Sequence, residues 1–360
     1  MTFDRLPQGS WVLVTGATGL VGSVVVELLL EKGFRVRGVG RSATRAAQFT
    51  EHLKVKYGVS SYEFAEVQDF TVSEAFDVAL QGVAGVLHIA TETNFDILGS
   101  DTDGALIAAS AAVLGLMKAA ARTNTVKSFV LTSSSITAMG TAMLQYGPDA
   151  QFSTENWEDD LIPMAKSLSS DAGFAKSGIT YAATKVYAER EAWKFWNETK
   201  PGYAFNTVLP VTIFGPVANP TKGAIYSTHT WLNELFLGDR DGIIMKFMNP
   251  AKAMVDSRDC AVIHVAALLS TEVDGQRLWA SAHFFTANQI LAVWRKAFPD
   301  RAIGPDFDFP AHPKTEITDL DKSTKLLESS LARAGTLSRR VSSPMSQAFS
   351  ELPPVLTQDC

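Results

Sequence analysis

Cysteine is almost absent. The 360 residues contain two, Cys260 and Cys360, too few for a disulfide framework, and a reducing compartment fits that usage. An excess of charge of one sign is lacking as well: 32 Lys and Arg against 38 Asp and Glu leave a net −6. That balance offers no basic face for nucleic acid and no polybasic membrane anchor. Met1-Thr2-Phe3-Asp4-Arg5 has no apolar stretch of the kind that opens a secretory signal. The most apolar later run, residues 104–121, is alanine-rich and broken by Lys118, so a buried core helix is expected there rather than a membrane span. The expected location is cytoplasmic. Six histidines are scattered without an H-x-x-x-H pair or a cysteine at ligand spacing, so no metal site is expected. His88, inside an apolar strand, reads as a satisfied interior histidine. No G-x-S-x-G elbow occurs, which disfavours hydrolase chemistry. No internal repeat is visible.

What the chain does have begins at Val12-Leu13-Val14-Thr15, four residues favouring a buried strand. They run into Gly16, Gly19 and Gly22, spaced G-x-x-G-x-x-G, and then into a helical pattern over Ser23–Lys32. Strand, glycine turn and helix in that order are the context that makes the spacing a nucleotide-binding signal. Gly16 allows the tight turn, Gly19 lets backbone approach a pyrophosphate, and Gly22 lets the helix lie close on the sheet. The helix N-terminus is then aimed at the phosphates.

Further strands are read at Phe34–Gly40, Tyr62–Val67, Val83–Ala90, Lys127–Thr132 and Phe205–Pro210, alternating with helices through Thr44–Tyr57, after Ser73, and over Asp101–Arg122. Alternation of this kind calls for a parallel sheet with right-handed crossovers. Ligands of such sheets sit beyond the carboxyl ends of the strands, where Thr15-Gly16, Arg41, Asp69, Thr91 and Ser133-Ser134 fall. The alternation breaks at Ala138–Gly178, read as a long loop that covers something. A helix is expected from Thr180 to Thr199. Later come a helix over Tyr226–Leu237, a short strand at Ala253–Asp256, a buried helix over Arg258–Ser270, and a capping box at Thr286-Ala287-Asn288-Gln289.

Tyr181 and Lys185 form Y-x-x-x-K, which on a helix puts both side chains on one face about 5–6 Å apart. Tyrosine titrates near pH 10, and a neighbouring ammonium favours its phenolate, bringing it toward working range as an acid–base group. Ser134, just past the fifth strand, would reach the same cleft and donate to a substrate carbonyl oxygen, while one of the three serines Ser133, Ser134 and Ser135 is expected to cap the strand end. The second strand has no acidic residue at its tip. Instead Arg37 and Arg41, with Arg45 a turn later, are placed to hold a ribose 2′-phosphate, which predicts NADP(H) over NAD(H). Phe95, Met139, Met143, Phe214 and Trp231 are expected to line an apolar, aromatic-tolerant substrate pocket.

With these residues in hand, the chain resembles the extended short-chain dehydrogenase/reductases. Within them it looks most like fungal NADPH-dependent carbonyl or aldehyde reductases and plant dihydroflavonol 4-reductases. TGATGLVG, VRGVGRSATR, the Asp69-Phe70 pair, GVLHIAT, FVLTSSS, YAATK, VLPVTIFGP and VDSRDCAVIHV carry the likeness over residues 9–300. The resemblance implies a Rossmann-like doubly wound parallel sheet, mainly residues 1–210, with a 138–178 loop over the active site. A smaller substrate-binding lobe interleaved with the sheet (211–335) and a loosely attached tail (336–360) complete it. It implies that Tyr181 gives a proton to a carbonyl, Lys185 holds the nicotinamide ribose, and Ser134 polarises the substrate. Gly16, Thr18, Gly19, Leu20 and Val21 would hold the pyrophosphate, and Asp69 and Phe70 the adenine end. Ala90, Thr91 and Thr132 would line the cofactor's middle, with Pro210 and Ile213 flanking the nicotinamide. The pattern departs at Ala112-Val113-Leu114-Gly115, where such proteins usually carry G-T-x-N.

The expected activity is NADPH-dependent reduction of an aldehyde or ketone by a monomer or homodimer with no metal. A nucleotide-sugar epimerase or dehydratase, a steroid-type dehydrogenase, and a non-catalytic cofactor-sensing protein are the alternatives. Ser135-Ile136-Thr137 lacks the carboxylates a dehydratase needs, and the Tyr181/Lys185 pair disfavours the sensor.

Overall fold

The computed structural model describes residues 4–91, 95–144, 150–219, 227–239, 252–308 and 315–333. Seven parallel strands form the main sheet, in the order β10-β7-β5-β4-β1-β2-β3. They are β1 (Trp11–Thr15), β2 (Arg35–Gly40), β3 (Tyr62–Glu66), β4 (Val83–His88), β5 (Ser128–Thr132), β7 (Ala204–Pro210) and β10 (Gln276–Ala280). The order reverses between β1 and β4, the switch point at which doubly wound sheets open a ligand crevice. The sequence reading held for the first six strands of this sheet. It missed β10, which returns from a later part of the chain to pair with β7 from Gln276↔Asn206 to Ala280↔Pro210.

Strand residues are apolar on both faces because helices cover both. Val12 and Val14 face one core with Val25, Val26 and Leu29 of α1 (Leu20–Glu31) and with a later helix, α9 (Ser257–Leu269). Leu13 points the other way, toward Val113, Leu116 and Met117 of α4 (Thr102–Arg122) and Ala188 and Ala192 of α7 (Phe174–Thr199). That opposition is the two-residue period of a strand sandwiched between helical layers. α9 is apolar all round and almost wholly buried, as expected for a helix enclosed by its neighbours. α4 is long and apolar enough to cross a membrane by composition; in the fold its inner face is part of the second core.

The segment expected to be a 138–178 loop is largely regular. It holds α5 (Ile136–Leu144), β6 (Ala150–Phe152), α6 (Leu161–Ser167) and the first turn of α7. Leu161 and Ala165 of α6 pack on Ile179, Ala182, Ala183 and Val186 of α7, so the helical pattern extends upstream of the expected start at Thr180. Tyr181 therefore lies inside α7 rather than opening it. β6 is three residues long and exists by pairing with β12 (Thr315–Ile317), a partner that no local pattern announces. After β6, the Thr154 backbone N–H donates to Asp319 at 2.9 Å, and the Trp279 indole N–H donates to the same carboxylate at 2.6 Å. This part of the segment is tied to the frame.

Between β7 and the chain's end lies a smaller lobe. β8 (Thr212–Phe214), β9 (Lys252–Asp256) and β11 (His283–Phe285) form a three-stranded sheet. Phe214, Met254 and Phe285 pack there with Leu232 and Phe236 of α8 (His229–Phe236) and with Ile290, Leu291 and Trp294 of α10 (Ala287–Ala297). α10 opens on the expected capping box, Thr286 with Gln289. α11 (Asp321–Arg333) packs Leu326 against the first core. The tail from 336 lies outside the described residues.

Candidate active site

β1 ends at Thr15, and Gly16 turns the chain with φ +65°, a left-handed conformation natural to glycine. A Cβ at Gly16 would stand 3.0 Å from the Ala90 nitrogen, and one at Gly22 would run into the Gly16 carbonyl. Thr15 Oγ1 accepts the backbone N–H of Ile89 and of Ala90, both at 3.0 Å. Its own proton therefore goes to His88 Nδ1 at 2.8 Å, which leaves the His88 proton on Nε2. One hydroxyl thus holds the loop after β4 against the glycine turn. Gly16 and Gly19 are half-buried, and α1 starts at Leu20, so its first amides face the turn. A cradle that a single methyl would obstruct, at the N-terminus of a long helix, fits a pyrophosphate. Asn219 of the lobe donates from Nδ2 to the Thr18 carbonyl at 3.0 Å, a contact sequence reasoning missed because 201 residues separate the partners.

At the adenosine end, Arg37 is a correction. Its guanidinium pairs with Glu63, donates to the Ala79 and Gln81 carbonyls and lies over the Trp11 ring. Glu63 lies near the start of β3, Ala79 and Gln81 precede β4, and Trp11 begins β1, all at the amino edge of the sheet, opposite the crevice. Strand alternation identified its face but not the end toward which a long side chain runs. Arg41 and Arg45 are exposed beyond β2, where Ser42 caps α2 (Ala43–Tyr57) by accepting the Arg45 N–H. Asp69 is exposed, and the Thr71 N–H and hydroxyl that donate to it hold its carboxyl below the usual range. Phe70 packs edge-on against Phe76. A Cβ at Gly115 would stand 2.5 Å from the Phe70 carbonyl. The glycine that departs from the G-T-x-N pattern therefore lets α4 touch the Asp69–Phe70 loop.

At the other end β5 stops at Thr132. The Thr132 carbonyl accepts Lys185 Nζ at 2.9 Å, and Tyr181 lies one helical turn before Lys185 on α7. Ser133 is buried and donates to Glu189 at 2.5 Å. Ser134 is partly exposed, its Oγ accepting the Ile136 N–H at 3.3 Å. Of the serines weighed for the strand end, Ser133 turns inward to Glu189 and Ser134 is the partly exposed one. Thr132 Oγ1 meets His264 Nε2 at 2.8 Å, while His264 Nδ1 lies 2.7 Å from the Cys260 carbonyl. A carbonyl can only accept, so Nδ1 carries the proton and the Thr132 hydroxyl donates to Nε2. His264 was read only as one of the scattered histidines.

Burial shifts these groups. Desolvation lowers Lys185 to about 8, against the raising influence of Glu189. Tyr181 is pushed up to about 12 by desolvation of its phenolate. That direction is opposite to the one expected from the Lys185 pairing alone, and it keeps the phenol protonated at neutral pH. His88 is lowered to about 3, mainly by burial and secondarily by Lys185, and His264 to about 4 by burial.

Of the remaining expected site residues, Ala90 is half-buried opposite Gly16 and Thr91 is exposed. Pro210 closes β7 and Ile213 is half-buried in β8. Met139 and Phe214 are buried: Met139 packs with Leu209 and Trp279, and Phe214 lies in the lobe core. Trp231 packs against that same core. The side chains of Phe95 and Met143 lie outside the described residues.

Glycine turn, switch-point crevice and Ser/Tyr/Lys edge together define a dinucleotide-dependent enzyme of the extended short-chain dehydrogenase/reductase class. The chain belongs to the NAD dependent epimerase/dehydratase family, whose model matches residues 12–278. It is 36% identical over 302 residues to aldehyde reductase 2 of Sporidiobolus salmonicolor, covering 84% of this chain and 85% of that one. It is 32% identical over 331 residues to ketoreductase adrE of Penicillium rubens, covering 92% and 93%. Among solved structures it resembles yeast methylglyoxal/isovaleraldehyde reductase Gre2 complexed with NADPH, with TM-score 0.71 and 26% identity over 91% of this chain and 98% of that one.

Two outcomes test this geometry. Gly115→Ala forces backbone apart at the Phe70 carbonyl and is expected to lower stability by about 1–3 kcal/mol and to weaken dinucleotide binding; denaturant unfolding and calorimetric titration measure the two. The second concerns pH. His88 and His264 have folded pKa values below the unfolded value near 6.5, so the unfolded chain binds more protons as pH falls. Their contribution is complete above about pH 6.5 and is lost progressively toward about 4 and about 3. The denaturant midpoint should fall between pH 7 and pH 5, and His264→Asn should flatten that slope.

Proposed function

We propose that the chain reduces an aldehyde or ketone to an alcohol with NADPH. The observation that carries this reading is Lys185 Nζ held on the Thr132 carbonyl at 2.9 Å, with Tyr181 a turn earlier and Ser134 two residues past Thr132. The relatives' names, aldehyde reductase and ketoreductase, support it. The nicotinamide, when bound, supplies hydride to the carbonyl carbon. Tyr181, protonated at neutral pH, gives its proton to the carbonyl oxygen, and the Ser134 hydroxyl shares the developing negative charge. The Lys185 ammonium holds the ribose and stabilises the phenolate that Tyr181 becomes.

NADP(H) is the preferred cofactor in this reading. Glu66 at the end of β3 accepts the Ala43 N–H at 2.7 Å, taking the first amide of α2. Recognition of a 2′-phosphate then falls to Arg41, with Arg45 as second cation, while Arg37 is committed elsewhere. The NADPH bound to the Gre2 neighbour is consistent with that choice. Substrates are small carbonyl compounds.

Loss of NADPH absorbance with a panel of aldehydes and activated ketones is the direct test; epimerisation of a nucleotide sugar without net NADPH loss would favour the epimerase alternative. Tyr181→Phe should reduce turnover by about 10²–10⁴ with cofactor binding nearly unchanged, and more than a tenth of wild-type turnover would refute the proton-donor role. NADPH should bind at least tenfold more tightly than NADH, and Arg41→Ala should erase most of that gap, about 1.5–3 kcal/mol for a charge-assisted contact. Equal affinities in the wild type would overturn the cofactor assignment.

A further inference from the structure

Beneath the catalytic edge lies a buried ion pair that the reaction as described does not use. Glu189 is 1% exposed. Its carboxylate accepts Ser133 Oγ–H at 2.5 Å, Thr207 Oγ1–H at 2.8 Å, Trp193 Nε1–H at 3.3 Å and Arg277 Nε–H at 2.9 Å. Arg277 comes from β10, and all five of its N–H groups are engaged. Besides Glu189 it donates to the Thr154 carbonyl, to the Asn156 carbonyl at 2.7 Å and to Thr137 Oγ1 at 2.8 Å. Its guanidinium lies 3.7 Å over the Trp157 ring, and that of Arg190 lies 3.8 Å over the same ring.

Ser134 is bracketed by this pair. On one side its neighbour Ser133 is fastened to Glu189. On the other, the Ser134 carbonyl accepts the Thr137 hydroxyl at 2.9 Å, and Thr137 in turn accepts from Arg277. Glu189 also follows Lys185 by four residues, so the two share a helix face. We propose that Glu189 and Arg277 are positioning residues of the active site: a buried ion pair that clamps the serine turn from both sides and places one negative charge behind Lys185. The inference rests on the reductase reading for its kinetic consequence, though the clamp itself does not.

The titratable groups around Lys185 are His88 from β4 and Tyr181 and Glu189 from α7, with the neutral Thr132 carbonyl from β5. His88 stays uncharged at working pH, so Glu189 is the anion that opposes desolvation of the ammonium. Removing its charge lets Lys185 lose its proton at lower pH, which moves the alkaline limb of activity downward.

The experiment compares wild type, Glu189→Gln, Glu189→Gln/Arg277→Met and Thr137→Val. The double variant leaves no unpaired guanidinium if the single one fails to fold. Competitive acetic anhydride labelling of Lys185 across pH, read by mass spectrometry without cofactor, reports its titration independently of turnover. In both Glu189 variants we expect a labelling midpoint and an alkaline limb of kcat lower by about one pH unit and kcat at pH 7 reduced at least tenfold, with NADPH affinity within threefold of wild type. Thr137→Val should lower kcat with the limb unmoved, and Thr137→Ser should restore it. A double variant with wild-type kcat and an unmoved midpoint overturns the proposal. So does a loss of kcat that tracks thermal stability without any shift in midpoint, since that is a purely structural role. Wild-type protein that consumes no NADPH with any carbonyl would refute the reductase reading, while the labelling midpoint would still judge the charge behind Lys185.

Discussion

A carboxylate closed off from water must be answered by donors or it unfolds what surrounds it. Breaking such a pair from one side costs about 3–5 kcal/mol. Glu189 imposes this demand at the carboxyl edge of the sheet, and the answer draws on distant parts of the chain. Ser133 comes from the end of β5, Thr207 from β7, Trp193 from the next turn of α7 and Arg277 from β10. Because Arg277 uses its remaining donors on Thr137 and the 154–156 backbone, the same charge fixes the serine turn and the segment that follows β6. Much of the polar network around Ser133 and Ser134 is the solvation shell of one buried group.

The same economy operates at the other hydroxyls of the sheet edge. Thr15 and Thr132 each end a strand, and each donates to a neutral histidine, His88 and His264. A threonine whose proton is committed has lone pairs left for backbone N–H groups, as Thr15 shows at Ile89 and Ala90. Burial keeps both imidazoles uncharged, so the edge carries oriented dipoles where free charges would repel Lys185.

Much of this was legible in the sequence, for identifiable reasons. The β1–glycine–α1 unit, the first six strands of the main sheet and the core helix α4 declare themselves by local periodicity and glycine spacing, and Tyr181, Lys185 and Ser134 are read from their place in that order. The 138–178 segment was misread because its short elements depend on partners elsewhere: β6 on β12, and α6 on a face of α7 whose start is masked by small residues. Arg37 was misplaced because alternation determines a face and leaves the direction of a four-bond side chain open. Glu189 was within reach, since it continues the Tyr181–Lys185 face by one more turn. Its partner Arg277 was not, because it lies 88 positions further along the chain and β10 itself went unread.

The late return of β10 has a consequence for how the protein is made. Until residues 276–280 emerge, β7 is the border of an open sheet, and every one of its residues is buried in the finished fold. A border of that sort is a template for pairing with other chains. Synthesis at about 5–20 residues per second leaves that border uncovered for several seconds, and strand pairing across so long a loop is intrinsically slow. Truncations that end before residue 276 would keep the glycine turn and α1 in their sequence and still accumulate as aggregates, because the strand that closes the sheet lies downstream of β8, α8 and β9.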